Sequence, residues 1–527
     1  MQGMNDQLGA TLDDVVILEQ TVEPWIILRR MVLVPSLQLI LIVCLVMQMM
    51  VLFEKAFMAL SSWYGRFLGP RPHRIYKCDP IEEDEELGSL AYPMVLVQIP
   101  MYNEKEVYQL SIGAACSLTW PADRLIVQVL DDSTDPVTKV LVEQECQKWR
   151  KKGINVKYET RKDRAGYKAG NLKEGMKHEY VQHCEYLAIF DADFQPEPDF
   201  LMKTVPFLVH NPRLGLVQAR WKFVNPGESL MTTIQRMTLD YHFKIEQESG
   251  SSMFSFFGFN GTAGVWRISA MIEAGGWKDR TTVEDMDLAI RANLKGWKFV
   301  YVPDVKVKSE LPGTLKTYRK QQHRWMCGAA NLFRKMWKEI LFNKGASFWW
   351  KFYLLYDFFF ARKIVSHLVN FSLYNVVIPV AVLVPEINLP VWIVAYLPTI
   401  MTLLTATENP RLIHIIPFSV LFENVISMHR MKSTLIGLFE AARVNEWVVT
   451  EKSGGATNTK TPTPKSQILK KPSFISVDKI NLSEIGFAAF LLFCATCDLL
   501  YGDDYYFVYM YLQSISFIVV GVGYVGK

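Results

Sequence analysis

Several short clusters in this 527-residue chain carry residues able to do chemistry. The apolar run Tyr186-Leu187-Ala188-Ile189-Phe190 ends in Asp191-Ala192-Asp193. In an extended segment residues i and i+2 share a face, so Asp191 and Asp193 can jointly meet one hard divalent cation and, through it, a diphosphate. A solvated turn after a strand has the same composition. Asp131-Asp132 closes a second run, Leu125 to Leu130. Further on, Val283-Glu284-Asp285-Met286-Asp287-Leu288 reads as a helix start with acids in its first turn, which the helix dipole alone would favour. Gln321-Gln322-His323-Arg324-Trp325 lies in a basic helical pattern that begins near Leu315. Arginine beside tryptophan offers a phosphate site and a sugar-stacking surface, and is equally at home at a membrane interface. The loop Phe256 to Gly264 combines glycine with aromatic residues, which suits close backbone approach and a flat sugar face, or a surface loop.

These clusters need a scaffold that gathers them. Met94 to Ile99 is a strand bounded by prolines, and Tyr102-Asn103-Glu104 opens a helical pattern that runs to Leu118. Leu125 to Leu130 repeats the unit, with Pro136 suited to the first turn of the next helix. Ile154 to Glu159 is a third strand, and Lys168-Ala169-Gly170-Asn171-Leu172 starts the helix leading to the Asp191 strand. Leu214 to Gln218 is another strand, followed by a long helical pattern from Glu228 to Glu248. Alternating strands and helices predict a largely parallel sheet whose crossovers put the strand tips, and so the acids, on one edge.

The composition predicts membrane spans around this domain: half of the residues are hydrophobic and mean hydropathy is positive. A net charge of +4 is small for this length, so nothing suggests nucleic acid as the main partner. The eight cysteines form no disulfide or zinc pattern; Cys494 and Cys497 have redox spacing inside a predicted span. Residues 1–31 are a polar tail, and 32–60 hold a retained transmembrane helix, since Val32 to Phe53 carries no charge over about the 20 residues that cross a bilayer. An acidic linker, Glu82 to Glu86, precedes a catalytic domain over 92–335. Interface helices follow over 336–363, then two spans within 364–407 (Ile364 to Val384 and Leu389 to Thr407). Residues 408–450 are interrupted by charges and predict amphipathic helices at the membrane surface. A flexible loop over 451–483 and two closing spans over 484–527 complete five crossings. The basic residues flanking the domain put it on the cytosolic side. The sequon Asn260-Gly261-Thr262 points the same way, because a lumenal domain could carry a glycan on that loop.

The ordered set Asp131-Asp132, Asp191-Ala192-Asp193, Glu284-Asp285 and Gln321-x-x-Arg324-Trp325 resembles the "D, DxD, D, QxxRW" signature of processive inverting family 2 glycosyltransferases. With Asn445-Glu446-Trp447 and the Gly-Val-Gly-Tyr-Val-Gly tail, the chain is similar to plant cellulose synthase-like group A proteins, the mannan and glucomannan synthases. The resemblance implies an α/β GT-A (Rossmann-like) domain inserted between transmembrane helices. It implies Asp285 as the base, with Asp132 beside it in the catalytic set, and Asp131, Asp191, Asp193, Lys168 and Glu104 at the donor. Gln321, Arg324, Trp325 and Glu284 would form the acceptor and phosphate sites, and Asp191 and Asp193 would bind Mg²⁺ or Mn²⁺. GDP-mannose and GDP-glucose as donors, a growing β-1,4-linked chain as acceptor, a lipid bilayer, a Golgi membrane location and a homo-oligomer belong to the same expectation. Two positions depart from the pattern: Val283 stands where many relatives have threonine, and Asn260-Gly261-Thr262 replaces Cys-Gly-Ser. A β-1,4-glucan synthase making a xyloglucan backbone and a lipid-directed sugar transferase are the rival activities. A non-enzymatic scaffold or transporter would have no use for acids at several strand tips.

Overall fold

The computed structural model describes residues 26–69, 72–81, 86, 88–406, 410–440, 481–502 and 504–525. The polar tail before residue 26, most of the acidic linker, Asn445-Glu446-Trp447 and the loop over 451–480 lie outside them. Among the described residues eight strands form one sheet in the order β3-β2-β1-β4-β7-β6-β8-β5. They are β1 (Val95–Met101), β2 (Leu125–Asp131), β3 (Val156–Thr160), β4 (Tyr186–Ile189), β5 (Gln195–Pro196), β6 (Leu214–Phe223), β7 (Gly264–Arg267) and β8 (Lys298–Ser309). The first four are parallel, as the alternating pattern requires. The sheet as a whole is mixed, because β7 runs antiparallel between β4 and β6 and β5 runs antiparallel beside β8. The glycine-aromatic stretch, which reads as a loop through Gly264, ends one residue sooner: Gly264 begins β7 and ties the loop to the tip of β4.

Both faces of the parallel half are apolar, so its strands read as continuous hydrophobic runs. Val95, Val97, Ile99, Val127 and Val129 pack on one side with Ile112 and Val142. Leu96, Ile126, Leu130, Leu187 and Ile189 pack on the other with Leu172, Trp266 and Leu288. Within this second layer Gln98 donates to Gln128 at 2.8 Å, and Gln128 donates to the Gly175 carbonyl at 2.9 Å. Gly175 has to be glycine there, since a Cβ would lie 2.8 Å from both glutamine side chains. Register aligns the tips: Met101 pairs with Asp131, and the Phe190 amide donates to the Gln98 carbonyl at 3.1 Å. Tyr102, Asp132 and Asp191 therefore leave the sheet along one edge.

Around the sheet lie helices α1 (Val34–Phe67), α2 (Tyr108–Cys116), α3 (Pro136–Lys151), α4 (Tyr167–Gly175), α5 (Phe200–His210), α6 (Leu230–Tyr241), α7 (Glu284–Leu294), α8 (Leu315–Leu341) and α9 (Ile416–Phe439). Pro136 opens α3 and Asp135 caps it, accepting from the Val137 and Thr138 amides at 3.2 Å. Among the described residues four helical runs are long and apolar enough to cross a membrane: Ile26–Phe67, Phe348–Val382, Arg411–Phe439 and Leu482–Tyr501. The shorter apolar helices Trp392–Thr405 and Tyr506–Gly521 stand with them.

Two stretches differ from the sequence expectation for one physical reason, that their charges are paired internally. The second run begins at Phe348 rather than Ile364 because Arg362, which interrupts the apolar pattern, donates to Glu54 of α1 at 2.7 Å and to Asp357 at 2.9 Å. The 408–450 region reads in sequence as several amphipathic helices, and its described part is one long helix, α9, preceded by a 3-10 segment, Pro410–Ile415. Arg430 on α9 pairs with Glu423 and donates to Gln322 at 2.8 Å and Tyr318 at 2.9 Å, so its charge faces α8. The small residues Gly437 and Ala330 let the two helices touch: a Cβ on Gly437 would lie 2.9 Å from that of Ala330.

Candidate active site

Four segments meet at the tip of β4. The Asp191 amide donates to the Thr262 hydroxyl at 2.9 Å, and the Ala263 amide to the Ile189 carbonyl at 2.8 Å. Lys168, at the start of α4, donates to Asp191 Oδ1 at 2.5 Å and to the Gly261 carbonyl at 2.9 Å. Gly261 takes φ +78°, and a Cβ there would lie 2.7 Å from Asp285 Oδ2. Glycine thus supplies both the left-handed turn and the room for Asp285 to sit against the loop. Asp285 Oδ1 accepts from the Met286 amide at 2.7 Å.

Helix α8 closes the site from above. Gly328 allows it to press on the loop before α7, where a Cβ would meet Thr282 Oγ1 at 2.6 Å and Val283 Cγ1 at 2.8 Å. That contact brings Arg324 into the field of Asp191, Glu284, Asp285 and Asp193. Burial lowers the pKa of Arg324 and those carboxylates oppose the shift. Burial also works against the charge on Lys168, but Asp191, Glu284 and Asp285 outweigh it and hold its pKa above the ordinary lysine value. Glu284 and Asp285 are both pushed above the carboxylate range, by burial first; Asp285 raises Glu284 further, while Lys168 and Arg324 restrain both.

A cavity of about 160 Å³ opens on these groups. Glu104, Asp132, Lys168, Asp191, Asp193, Glu284, Asp285, Gln321, Arg324 and Trp325, all singled out in the sequence, line it together. Asp131 does not: it is buried behind the tip of β2, accepting from the Ser133 amide at 2.8 Å and the Tyr158 hydroxyl at 2.9 Å. A larger cavity of about 400 Å³ shares Trp221, Asn260, Asp285, Gln321 and Trp325 with the first. It continues between α1, the Phe348–Val382 run, Trp392–Thr405 and α9.

Several participants escape sequence reasoning because their partners are distant. Arg161 grips both oxygens of Asp132, at 2.7 and 2.6 Å. Trp221, at the junction of the two cavities, stacks edge-on with Phe194 at 5.1 Å. Asn260 accepts from Gln247 at 3.0 Å and lies 3.1 Å from His242 Nε2. Its Nδ2 is buried, which leaves a glycan no room on this sequon in the folded chain. The run Arg161-Lys162-Asp163-Arg164 directly after β3 was the available signal for Arg161, since a basic loop at an acid-bearing sheet edge has something to neutralise.

Among the described residues no three His, Cys, Asp or Glu side chains form a ready-made metal cage. The Asp191 carboxylate is about one-third exposed, and Asp193 lines the same cavity. An all-oxygen pair of this kind fits Mg²⁺ or Mn²⁺, which complete their shells with phosphate oxygens and water.

A family model described as glycosyl transferase family 2 matches residues 96–263, and one described as glycosyl transferase family group 2 matches 186–406. A probable glucomannan 4-beta-mannosyltransferase 3 of Oryza sativa subsp. japonica is 65% identical over 90% of this chain and 87% of its own length. Glucomannan 4-beta-mannosyltransferase 2 of Arabidopsis thaliana is 56% identical over 95% of this chain and 94% of its own. The solved mannosyltransferase PcManGT from Pyrobaculum calidifontis, in complex with GDP-Man and Mn²⁺, superposes with a TM-score of 0.51 at 18% identity. That alignment covers 77% of this chain and 99% of the other, a likeness of fold.

Proposed function

The chain belongs to the glucomannan 4-beta-mannosyltransferase family, within glycosyl transferase family 2, and from that premise we propose a processive, inverting β-1,4-mannosyltransferase that extends mannan or glucomannan from GDP-mannose and GDP-glucose. The observation that carries this reading is Asp285, set against Gly261 where the two cavities meet. Inversion needs one base to take the proton of the acceptor 4-hydroxyl as its oxygen attacks the anomeric carbon from the side opposite the leaving diphosphate. Asp285 has what a base here requires. One of its oxygens is pinned by the Met286 amide, the other lies beside Gly261, and its raised pKa makes it a stronger base than an ordinary carboxylate. Glu284 is likewise held above the carboxylate range, by burial and by Asp285, and when protonated can donate a hydrogen bond to a sugar hydroxyl.

Lys168 and Arg324 bring positive charge to the cavity wall where negative charge develops on the departing diphosphate. Asp191 and Asp193 would hold a Mg²⁺ or Mn²⁺, which when bound neutralises part of that charge; the mannosyltransferase with the shared fold was solved with Mn²⁺. Asp132, clamped by Arg161, suits the nucleotide end better than the reacting carbon. Gln48, Glu54, His367, Asn370 and Asn424 place polar groups on the wall of the larger cavity, which a hydroxylated chain can use for hydrogen bonds. The polymer would leave by that route, from a cytosolic site across a Golgi membrane.

Feeding labelled GDP-mannose, GDP-glucose and UDP-glucose separately to purified membranes, with linkage analysis of the product, tests the reading. 4-Linked mannose from GDP-mannose is expected; 4-linked glucose from UDP-glucose alone would replace it with the glucan synthase. Protease treatment of sealed vesicles tests the orientation. A catalytic domain digested only after detergent is added would be lumenal.

A further inference from the structure

The sheet order lays the cavity out as a sequence of subsites. From one side to the other come the loop after β3 with Arg161 and Arg164, the β2 tip with Asp132, the β1 tip with Tyr102, and the β4 tip with Asp191. Gly261 and Asp285 follow on the β7 side. If the diphosphate lies at Asp191 and Lys168 and the transferred sugar at Asp285, the nucleoside extends toward β1, β2 and β3.

At that end Arg164 sits over the face of Tyr102, its guanidinium carbon 3.4 Å from the ring centroid, with the Tyr167 ring at 5.5 Å. Arg164 Nε is buried and makes no hydrogen bond. Both loops are fixed beyond what a surface contact needs. Asn103 takes φ +53°, held by its amide donating to Ser133 Oγ at 2.8 Å and by its Oδ1 accepting the Thr134 amide at 2.9 Å. Tyr167 takes φ +48°, its carbonyl accepting from Arg161 at 2.7 Å and its amide donating to the Arg164 carbonyl at 2.9 Å. Non-glycine residues in this region are uncommon and persist where the surroundings over-determine them. These hydrogen bonds fix the two loops that carry the stack.

We propose that Arg164 is the residue that selects guanine in the donor, an inference that rests on the GDP-sugar reading above. With Nε turned inward, a guanidinium held on an aromatic face presents its two Nη–H groups as parallel donors, and guanine offers the matching acceptor pair, O6 and N7. Adenine puts an amino donor where guanine has O6, so the same fork meets a donor and loses one bond. Uracil has a single acceptor, O4, on the corresponding edge. Hypoxanthine keeps both O6 and N7 and is accepted like guanine. The ring of Tyr102 fixes the plane of the fork and Arg164 reads the base.

The test measures dissociation constants of GDP, IDP, 7-deaza-GDP, ADP and UDP for the full-length protein in nanodiscs, comparing wild type with Arg164→Gln and Arg164→Lys. Wild type is expected to bind GDP and IDP about ten- to a hundredfold more tightly than ADP, with 7-deaza-GDP, which lacks N7, in between. In Arg164→Gln the GDP to ADP ratio should collapse toward one or below while the affinity for ADP holds or rises, since a glutamine amide matches adenine N6 and N7. Arg164→Lys, which keeps the charge and donors for O6 and N7 but loses the planar fork, should fall between wild type and the glutamine variant, and the thermal transition of all three proteins should coincide. An unchanged GDP to ADP ratio in Arg164→Gln would overturn the proposal. So would an equal loss for every nucleotide, which is the result of merely loosening the loop. A wild type that prefers UDP to GDP would sink the donor reading and this inference together, whereas the first two outcomes sink the inference alone.

Discussion

Asp285 and Asp287 stand two residues apart at the start of one helix, and they live in opposite electrostatic worlds. Asp287 is fully buried, with Arg280 donating to one oxygen at 2.6 and 3.0 Å and Arg291 to the other at 2.8 and 3.0 Å. Arg280 is itself held by Glu339 of α8 at 2.5 Å. That acid has no unmet demand and faces no cavity. Asp285 faces the two cavities, shares its surroundings with Glu284, and is held above the carboxylate range. Two steps along a helix turn a side chain through about 200°, so one acid points into the fold and the other into the site. A buried acid whose oxygens are all spoken for holds structure; one left with an unsettled charge at a cavity is a candidate for chemistry.

Replacing each acid by its amide breaks the comparison most directly. Asp285→Asn should lower turnover by roughly a hundred- to ten-thousandfold, the usual worth of a general base, while GDP binding stays near wild type. Its stability should not fall. A carboxyl whose pKa is raised by folding contributes stability below its unfolded pKa and loses it as pH rises through the folded value, so at neutral pH the amide relieves a cost. Asp287→Asn should do the reverse, losing on the order of 3 kcal/mol of stability because the buried Arg291 loses the charge that balances it and Arg280 is left with Glu339 alone, with turnover per folded molecule much less affected. Thermal melts and initial rates on the two variants decide it. Near-wild-type turnover in Asp285→Asn would remove the base from the scheme.

How far this contrast is legible in the sequence depends on the range of each interaction. The acids at the ends of β2 and β4 follow short apolar runs, so strand, tip and carboxylate are read from neighbouring residues. The Asp287–Arg291 pair is four residues apart on a helix and equally local. By contrast, Arg161 on Asp132 and Glu54 on Arg362 join residues 29 and 308 apart, and no periodicity carries that information. The antiparallel β7 was hidden for another reason: four residues beginning at Gly264 are too few to show alternation, and their hydrogen-bond partners are β4 and β6. The charges in Phe348–Val382 and α9 looked like interruptions of apolar segments because the side chains that neutralise them lie on other helices or a turn away.

A backbone change at Gly261 sharpens the comparison without touching either acid. Gly261→Ala puts a methyl group 2.7 Å from Asp285 Oδ2 at φ +78°, a conformation that alanine resists. Displacing the carboxylate, and with it the Gly261 carbonyl that Lys168 holds, should cost about a hundredfold in rate. The Arg280–Asp287–Arg291 cluster should be untouched, leaving only the loss of about 1 kcal/mol in stability expected for alanine at a left-handed position. Wild-type turnover in this variant would mean that the loop and Asp285 do not meet in the working enzyme.

Acidity probes the same difference with the chain intact. Asp285 must be ionised to accept the proton, and its pKa stands above the ordinary carboxylate range, so turnover should fall as pH drops through a value higher than a normal aspartate would give. The sign follows from burial favouring the neutral acid. Glu284→Gln removes the neighbouring carboxyl that titrates in the same site and should leave a single, simpler acid limb. A rate that stays flat down to the ordinary aspartate range would argue that Asp285 is not titrating as the base.

The smallest expected effect concerns Trp325, which lines both cavities at their junction. On the proposed reading a sugar newly added at Asp285 would pass this point to reach the larger cavity, and an indole face there would give the chain something to rest on between additions. Trp325→Ala removes a contact worth about 1 kcal/mol, which would let the chain depart roughly five times faster while the reacting groups stay in place. Product length should therefore fall more than the initial rate of mannose transfer does, and the two are separable by size-exclusion profiles and single-addition kinetics on one preparation. Equal losses in both would make Trp325 part of the transfer step itself, and unchanged lengths would leave Trp221, on a different element at the same junction, as the surface that holds the chain.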